Sequence, residues 1–290
     1  MLALDWNTDG RDWPLREWSR FVTCGPLTWH VQQAGAGPTL LLIHGTGAST
    51  HSWRDLARVL TDRFSIVSVD LPGHGFTRGR PESGLTLPAM AGALTDLLRQ
   101  EGIVPDIVGA HSAGAAVAAR MALDGGHQAP IVAFGPALVP FPGMSAPLLS
   151  GLARLLFVNP LVPHIFARVA RSDGQVAKFL ERSTGSRIEP RGVELYARLF
   201  ASADHCAGAI EMMADWDLAK LSLELPGLPV RMHIAHGDCD RAIRIAESRR
   251  AAARACAAFT TLHGLGHLAH EEQPNRAAAL IASVANEGAC

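Results

Sequence analysis

The sequence predicts an α/β fold built on a mostly parallel, doubly wound sheet that an all-helical segment interrupts. Apolar runs typical of buried strands alternate with amphipathic helical stretches from residue 39 to residue 137. Residues 138–225 lack a strand pattern, and the alternation returns from residue 228 to residue 285. Because strand–helix alternation forms parallel sheets with right-handed crossovers, these observations indicate one sheet covered by helices on both faces.

The first half of the chain supplies most of the predicted strands. Two short strand-like segments, SRFV and LTWHV, open the fold. They precede four apolar runs: TLLLIHG (39–45), FSIVSVD (64–70), DIVGA (106–110) and PIVAFGPA (130–137). The first predicted helix covers residues 49–60, with Ser49 or Thr50 as its cap. The second covers residues 85–102 and ends at Gly102.

Residues 138–225 contain five stretches with helical spacing. These are APLLSGLARLLFV, LVPHIFARVA, GQVAKFLERS, GVELYARLF and HCAGAIEMMADWDLAKL. The core then resumes with a strand, a helix, a strand and a last helix, over about residues 228–240, 244–254, 257–264 and 274–285. Residues 1–137 and 226–290 therefore form the predicted core, and residues 138–225 form a predicted helical cap inserted after the sixth strand.

The apolar faces of the cap must bury against another surface, and the carboxyl edge of the sheet is free. We therefore expect the cap to enclose an apolar cavity above Ser112 and to exclude water from it. Mobile loops are expected near Gly143 and Gly185, because glycine tolerates the dihedral changes of a hinge.

Composition argues against several classes of protein. The 290 residues carry 26 lysines and arginines against 27 acidic residues and contain no basic run, so no nucleic-acid partner is expected. The first residues, MLALDWNTDGRDWP, lack the apolar centre of a signal peptide, and no apolar stretch reaches the ~18 residues of a membrane span. Five scattered cysteines without a CxxC pair favour reduced thiols in a cytoplasm.

Ser112 stands where a predicted strand must turn sharply into a helix. Ala110 and Gly114 lie two residues to either side of it, in the stretch AHSAG. Larger side chains at these two positions would collide with neighbouring backbone, so the pattern is that of a nucleophile elbow, usually G-x-S-x-G. The pattern predicts a nucleophilic Ser112; the alternative is a packing serine at a helix N-terminus.

A serine hydroxyl needs a base, and the base needs an orienting acid. His267 follows the final predicted strand in a glycine-rich loop and is the candidate base. Asp240 follows the preceding strand and is the candidate acid, although Asp238 is an alternative two residues earlier. We favour Asp240 because this loop usually reads G-x-x-D. The order serine, aspartate, histidine is the one expected for this chemistry, and we predict a hydrogen-bonded chain with distances of about 2.6–3.2 Å.

The stretch HGTG (44–47) follows another predicted strand. Backbone amides of Thr46 and Ala113 are the candidate oxyanion hole, supported by the positive end of the helix after Ser112.

Other polar residues near these strand ends are interpreted without a metal. His267 and His270 form an H-x-x-H pair, but HLAHE matches neither H-E-x-x-H nor H-x-x-E-H, so no metal is predicted. His270 and Glu271 are expected to make polar contacts near the helix start, and Cys239 is interpreted as a packing residue. The chain has neither a P-loop nor a G-x-G-x-x-G helix start, so no nucleotide or other cofactor is predicted.

The stretches LLLIHGTGASTHSW, VDLPGHGFT, HSAGAA and GLGHLAHEEQP resemble the α/β-hydrolase superfamily. The stretches DWPLREWSRFV, LTWHVQ, STGS and HCAGAIEMMADWDL look like the BchO group, the magnesium-chelatase accessory proteins of bacteriochlorophyll biosynthesis. That resemblance implies a role near magnesium insertion into protoporphyrin, chelatase subunits as partners, and a cytoplasmic location peripheral to photosynthetic membranes. Ala110 and Arg244 depart from the usual glycine and proline of the family.

Two classes of function stay open. In the first, the chain is a serine hydrolase that acts on an ester or related acyl bond of an apolar small molecule, such as a tetrapyrrole ester. In the second, it is a non-catalytic accessory that binds porphyrin or chelatase subunits and retains an inherited triad. The candidate pocket residues are Gly45, His111, Met212, Met213 and Trp216. The alternative for the three cap residues among them is ordinary packing between cap and core.

Overall fold

Eight strands form a single sheet in the computed structural model, which describes residues 3–140, 161–172 and 174–287. They are β1 (Ser19–Cys24), β2 (Leu27–Ala34), β3 (Thr39–Ile43), β4 (Ser65–Val69), β5 (Ile107–His111), β6 (Ile131–Phe134), β7 (Met232–Gly237) and β8 (Ala258–Leu262). Their order across the sheet is β1-β2-β4-β3-β5-β6-β7-β8. β2 is antiparallel to β1 and β4, and all other neighbours are parallel.

The central strands are apolar on both faces because helices cover both sides of the sheet. Leu40, Leu41, Leu42 and Ile43 of β3 are completely buried. Leu41 pairs with Val67 on one side, and its neighbour on the other side is Val108. The predicted mostly parallel sheet is therefore confirmed, and its parallel strands bring their carboxyl ends to one edge.

Helices join the strands as the alternation predicted. Eleven α-helices lie in the described part of the chain: α1 (Arg54–Leu60), α2 (Leu87–Gln100), α3 (Ala113–Leu123), α4 (Leu161–Val169), α5 (Gln175–Thr184), α6 (Pro190–Phe200), α7 (Ala203–Asp215), α8 (Leu218–Glu224), α9 (Ile245–Arg254), α10 (Ala269–Glu272) and α11 (Pro274–Asn286). Short 3-10 helices cover Arg16–Trp18, Thr50–Trp53 and Leu225–Gly227. None of the described helices has both the length and the apolar character needed to cross a bilayer.

Helices α4–α8, which we call the cap helices, stand between β6 and β7, and no strand occurs among the described residues of this stretch. The predicted helix APLLSGLARLLFV and the loop at Gly143 lie outside the described residues. The predicted single helix over 205–221 is wrong, because the chain breaks at Trp216 and Asp217. The Asp217 side chain accepts a hydrogen bond from Lys220 N at 3.0 Å and thereby starts α8 as a new helix.

Helix α7 approaches the loop after β4 closely, backbone to backbone. A Cβ atom added to Gly208 of α7 would lie 2.0 Å from the Gly73 carbonyl oxygen, in the loop after β4. Gly73 itself has φ +79, a conformation that favours glycine. Glycine at both positions therefore allows α7 and this loop to come so close together.

The N-terminal segment also joins the cap helices to the core. Leu4 and Trp13 pack in one apolar cluster with Leu195 and Leu199 of α6. At the surface, Asp12 forms ion pairs with Arg191 at 2.5 Å and with Arg198 at 2.6 Å. The N-terminal segment is therefore part of the surface against which α6 packs.

Gly185, expected in a mobile loop, is closely packed. It follows α5 with φ +71, and an added Cβ would lie 2.1 Å from the Cys239 carbonyl oxygen. Gly185 is therefore packed against the loop of Cys239, and its role as a hinge stays a prediction.

Candidate active site

Ser112 begins a sharp turn between β5 and α3. It has φ 50 and ψ −117, a sparsely populated conformation for a residue with a side chain, which costs about 1–3 kcal/mol. The surrounding backbone holds this conformation, since Ser112 N donates to Phe134 O at 2.9 Å and Ser112 O accepts from Ala137 N at 3.0 Å. Gly114 must be small, because an added Cβ would lie 2.2 Å from Ile43 O.

Asp240 and His267 meet at the carboxyl edge of the sheet. His267 Nδ1 donates to Asp240 Oδ2 at 2.7 Å, and both side chains are nearly inaccessible to solvent. The second oxygen, Asp240 Oδ1, accepts from Ala242 N at 2.8 Å and Ile243 N at 2.9 Å. The carboxylate is therefore fixed by its own loop, and it fixes the tautomer that leaves His267 Nε2 free to accept a proton.

Asp238, the alternative acid, turns away from His267. Its carboxylate accepts from His263 Nδ1 at 2.8 Å and from Gly264 N at 2.7 Å. The hydrogen bond from His263 lowers the pKa of Asp238, and the pair lies at the surface. Cys239, between the two aspartates, is exposed. The interpretation of Cys239 as a packing residue is wrong.

Ser112 and His267 line the same cavity. Within the part of the chain that the structure describes, no hydrogen bond joins the two side chains. The backbone of His267 is held from both sides, since its N–H donates to Thr184 O at 2.9 Å and its carbonyl accepts from His111 Nε2 at 3.0 Å. Of the predicted chain of three residues, the hydrogen bond between Asp240 and His267 is therefore present, and the one between His267 and Ser112 is not formed.

Thr46 and Ala113 also line the cavity, beside Ser112. Among the described residues, neither backbone N–H donates a hydrogen bond to the rest of the chain, and their role as an oxyanion hole stays a prediction. His44 shapes the loop before Thr46, with Nδ1 donating to Gly45 O at 2.7 Å and Nε2 accepting from Leu71 N at 2.9 Å.

Sequence reasoning missed two histidines that support these loops. His205 of α7 donates from Nε2 to Gly47 O at 3.0 Å and accepts at Nδ1 from Gly75 N at 3.1 Å. His236 of β7 places Nε2 3.6 Å from Asp240 Oδ2. Burial lowers the pKa of both rings, that of His205 to about 4. Both roles depend on contacts between distant elements, and no local motif indicates them.

A cavity of about 680 Å³ lies between the strand ends and the cap helices. Its described lining is mainly apolar and includes Phe179, Leu180, Phe200, Ile210, Met212, Met213, Trp216, Leu218, Ile243 and Leu268. Four of the five predicted pocket residues line it: His111, Met212, Met213 and Trp216. Gly45 is not among the described lining residues. An added Cβ there would lie 2.9 Å from Ser112 Cβ, so Gly45 packs behind the serine.

Met212 and Met213 differ in their surroundings although they are adjacent. The Met212 side chain is 0% exposed and belongs to the main apolar core, whereas Met213 is 49% exposed. Trp216 donates from Nε1 to Leu85 O at 2.8 Å and packs against the same core. Met212 and Trp216 therefore serve both the cavity wall and the packing of the cap helices.

Glu271 links the loop of His267 to a cap helix. It accepts from Arg54 at 2.7 Å and from the Tyr196 hydroxyl at 2.8 Å, and all three side chains are buried. Burial raises the pKa of Glu271 despite the nearby arginine, and burial beside that carboxylate raises the pKa of Tyr196 well above its usual value. The polar contacts expected for Glu271 thus extend to α6.

His270 packs between aromatic rings. Its ring centroid lies 4.4 Å from that of Trp53 and 4.5 Å from that of His111. Burial lowers its pKa to about 3, which keeps the ring neutral. Neither ring nitrogen has a hydrogen-bond partner among the described residues, so the polar contacts expected for His270 are not found there. The described residues also contain no group of three histidine, cysteine or acidic side chains suited to a metal ion.

Comparison with known proteins agrees with this architecture. The model of the alpha/beta hydrolase family matches residues 40–280. The magnesium-chelatase 30 kDa subunit of Rhodobacter capsulatus is 34% identical over 263 residues, which cover 90% of this chain and 92% of that protein.

Two solved structures of low identity show the same fold. A thermophilic esterase from Thermogutta terrifontis has a TM-score of 0.73 at 21% identity and covers 93% of this chain and 98% of its own. The enol-lactonase from Burkholderia xenovorans LB400 has a TM-score of 0.72 at 18% identity and covers 92% of this chain and 100% of its own. Because the family model matches residues 40–280 and the sheet has the same fold, the chain belongs to the alpha/beta hydrolase family.

Proposed function

We propose that the chain is a serine hydrolase that cleaves an ester or related acyl bond of an apolar small molecule. The observation that carries the proposal is the buried bond of 2.7 Å between His267 and Asp240, in a cavity that Ser112 also lines. An oriented imidazole beside a serine in a strained turn is the arrangement that activates a hydroxyl.

The reaction we propose uses these groups in the following order. Ser112 Oγ attacks the acyl carbon while His267 Nε2 takes the hydroxyl proton. The resulting oxyanion accepts hydrogen bonds from Thr46 N–H and Ala113 N–H. Collapse of this intermediate expels the alcohol, which takes the proton from His267, and leaves an acyl-serine. A water molecule then repeats the sequence, with His267 again as base, and releases the carboxylic acid and free Ser112.

The biological setting we propose comes from the relative and the cavity together. The relative carries the name magnesium-chelatase 30 kDa subunit, and the similarity runs along nearly the whole length of both chains. We therefore place this chain near magnesium insertion in chlorophyll or bacteriochlorophyll biosynthesis, with chelatase subunits as partners and a cytoplasmic location at the surface of photosynthetic membranes. The apolar cavity under the cap suits a tetrapyrrole or its ester.

Labelling with a fluorophosphonate probe tests the nucleophile. The folded protein should react at Ser112 and hydrolyse small activated esters, whereas Ser112→Ala should lose labelling and lose turnover by as much as ~10⁶-fold. Ser52→Ala is the control, because Ser52 is a buried serine outside the cavity lining. Turnover retained in Ser112→Ala would show that Ser112 is not the nucleophile.

A non-catalytic accessory role is the second candidate, and the open Ser112–His267 bond favours it. In that role the cavity binds a porphyrin, or the surface binds chelatase subunits, without turnover. Deletion of the gene in its host, with mass spectrometry of the tetrapyrroles that accumulate, separates the two. Complementation by wild type but not by Ser112→Ala supports the hydrolase, and equal complementation supports the accessory role. A porphyrin titration of the purified protein tests binding directly.

A further inference from the structure

The segment STGS, Ser183–Ser186, ends α5 in a hydrogen-bonded turn. Thr184 Oγ1 donates to Leu180 O at 2.6 Å and accepts from Ser186 N at 3.1 Å. Gly185 takes the left-handed conformation that a tight helix end requires, and its N–H donates to Glu181 O at 3.0 Å. Hydrogen bonds within α5 and the turn itself therefore hold the shape of the turn.

The Thr184 carbonyl accepts hydrogen bonds from two loops, the one that carries the proposed base and the one that carries the proposed acid. Thr184 O accepts from His267 N at 2.9 Å and from Arg241 N at 3.2 Å. The first donor belongs to the proposed base, and the second belongs to the residue that follows the proposed acid, Asp240. Packing makes the same connection, because an added Cβ on Gly185 would lie 2.1 Å from Cys239 O, in the residue before the acid.

The serine of the turn adds a second set of bonds to the base loop. Ser186 Oγ accepts from Leu268 N at 2.8 Å and donates to Glu272 Oε2 at 2.9 Å. The same carboxylate oxygen accepts from Gly266 N at 2.7 Å, and the second oxygen accepts from Arg187 N at 3.0 Å. The residues on both sides of His267 are thus tied to the turn.

We infer that the turn Ser183–Ser186 is a positioning element, which sets the distance between the acid loop and the base loop so that Asp240 and His267 meet. The two loops follow different strands, and the turn inserts between them from a cap helix. The inference rests on the proposed function for its catalytic meaning. Its structural part does not depend on catalysis, because loss of the Ser186 hydroxyl should loosen the Asp240–His267 hydrogen bond in either case.

The test compares Ser186→Ala with Ser52→Ala in the full-length protein. Both serines are 2% exposed, and among the described residues the Ser52 hydroxyl donates to the nearby Ser49 carbonyl at 3.1 Å and to no other group. Proton NMR follows the His267 Nδ1–H resonance, which the bond to Asp240 shifts downfield and which is assigned by its loss in His267→Gln. We expect this resonance to broaden or move in Ser186→Ala and to stay unchanged in Ser52→Ala.

Ester hydrolysis supplies the second readout. In Ser186→Ala, kcat should fall by about 10-fold to 100-fold with little change in KM, because misplacement of the base affects the chemical step. Glu272→Ala removes the partner carboxylate and should give the same direction of change if Ser186→Ala does not fold. An unchanged resonance and unchanged kcat in both variants would overturn the inference. An inactive wild-type protein whose resonance still responds to Ser186→Ala would refute the proposed hydrolase and support the positioning role.

Discussion

Asp238 and Asp240 are two residues apart, yet their carboxylates have different partners. Asp240 is buried against His267, whereas Asp238 is paired at the surface with His263. The two carboxylates therefore bind different histidines, His267 in the cavity wall and His263 at the surface. Substitutions at the two positions can therefore distinguish the loss of the catalytic acid from a general weakening of the loop.

Asp240→Asn should lower kcat by ~10⁴-fold with little loss of folding stability. An amide in place of the carboxylate favours the wrong tautomer of His267 and no longer stabilises the imidazolium. Asp238→Asn is the matched control and should retain wild-type turnover. Ester hydrolysis by both variants decides the assignment, and a large loss in Asp238→Asn alone would transfer the role of acid to that residue.

Tyr196→Phe should destabilise the protein by about 1.5–3 kcal/mol, because it removes a hydrogen bond to a buried carboxylate. Glu271→Ala should cost about 3–5 kcal/mol, since it leaves Arg54 buried without its main partner. Chemical denaturation of both variants measures these changes in the free energy of unfolding. A Tyr196→Phe variant as stable as wild type would show that the hydroxyl contributes nothing to the contact between α6 and the core.

At the residue scale, the chain alone indicates the places of Ser112, Asp240 and His267, because each follows a strand in a short motif with small neighbours. It does not indicate His205 or His236. His205 lies in the first turn of α7 and His236 lies near the end of β7, and their contacts depend on how these two elements pack. The Glu271–Tyr196 hydrogen bond joins residues 75 positions apart, so no local sequence pattern indicates it either.

At the element scale, helix α7 carries several of the cap residues that line the cavity, among them Ile210, Met212 and Met213. Apolar spacing predicted one long helix here, but the backbone turns at Trp216 and restarts at Asp217. The spacing is continuous across the break, so periodicity could not reveal it. An aspartate three residues before Lys220 was the available signal, because aspartate is a strong N-cap. The break places the Trp216 ring in the cavity wall.

Met213→Asp should weaken binding of an apolar ligand while changing stability by only about 0.5 kcal/mol, since the half-exposed side chain leaves the introduced charge near water. Met212→Asp should instead unfold the protein or destabilise it severely, because its side chain is buried in the core. Quenching of porphyrin fluorescence and thermal unfolding, measured on both variants, separate the two effects. Unchanged porphyrin binding in a folded Met213→Asp variant would refute this part of the cavity wall as a ligand contact.

At the scale of the whole molecule, buried neutral histidines make stability depend on pH. Burial lowers the pKa of His205 to about 4 and that of His270 to about 3, and it lowers those of three others well below 6.5: His51, His74 and His111. The unfolded chain protonates these rings near pH 6.5, and the folded chain does not. Each ring therefore contributes stability that is complete above pH 6.5 and is lost as the pH falls.

Unfolding free energy should fall between pH 6.5 and pH 4, by up to about 1.4 kcal/mol per pH unit for each such ring. Glu271 opposes this trend, because its raised pKa lets the folded state bind a proton first. Asp70, whose pKa His30 holds low against the effect of burial, adds to the loss only below about pH 4. Denaturant titrations at pH 7.5 and 5.0 measure the difference. His205→Gln should reduce this difference by the contribution of one ring, and equal stability at both pH values in wild type would contradict the assignment of neutral rings.

The contact between Gly73 and Gly208 has a consequence for chimeric proteins. A cap segment transplanted from another member of the family brings its own residue at position 208, and the recipient core keeps its own at position 73. An alanine at position 208 would collide with the Gly73 carbonyl and separate α7 from the loop after β4, and an alanine at position 73 would strain the backbone at φ +79 and crowd Gly208. The transplanted cap and the recipient core are therefore compatible only when both carry glycine at these positions. An exchange of caps between relatives should succeed where both glycines are present and should otherwise displace His205 from the Gly47 carbonyl.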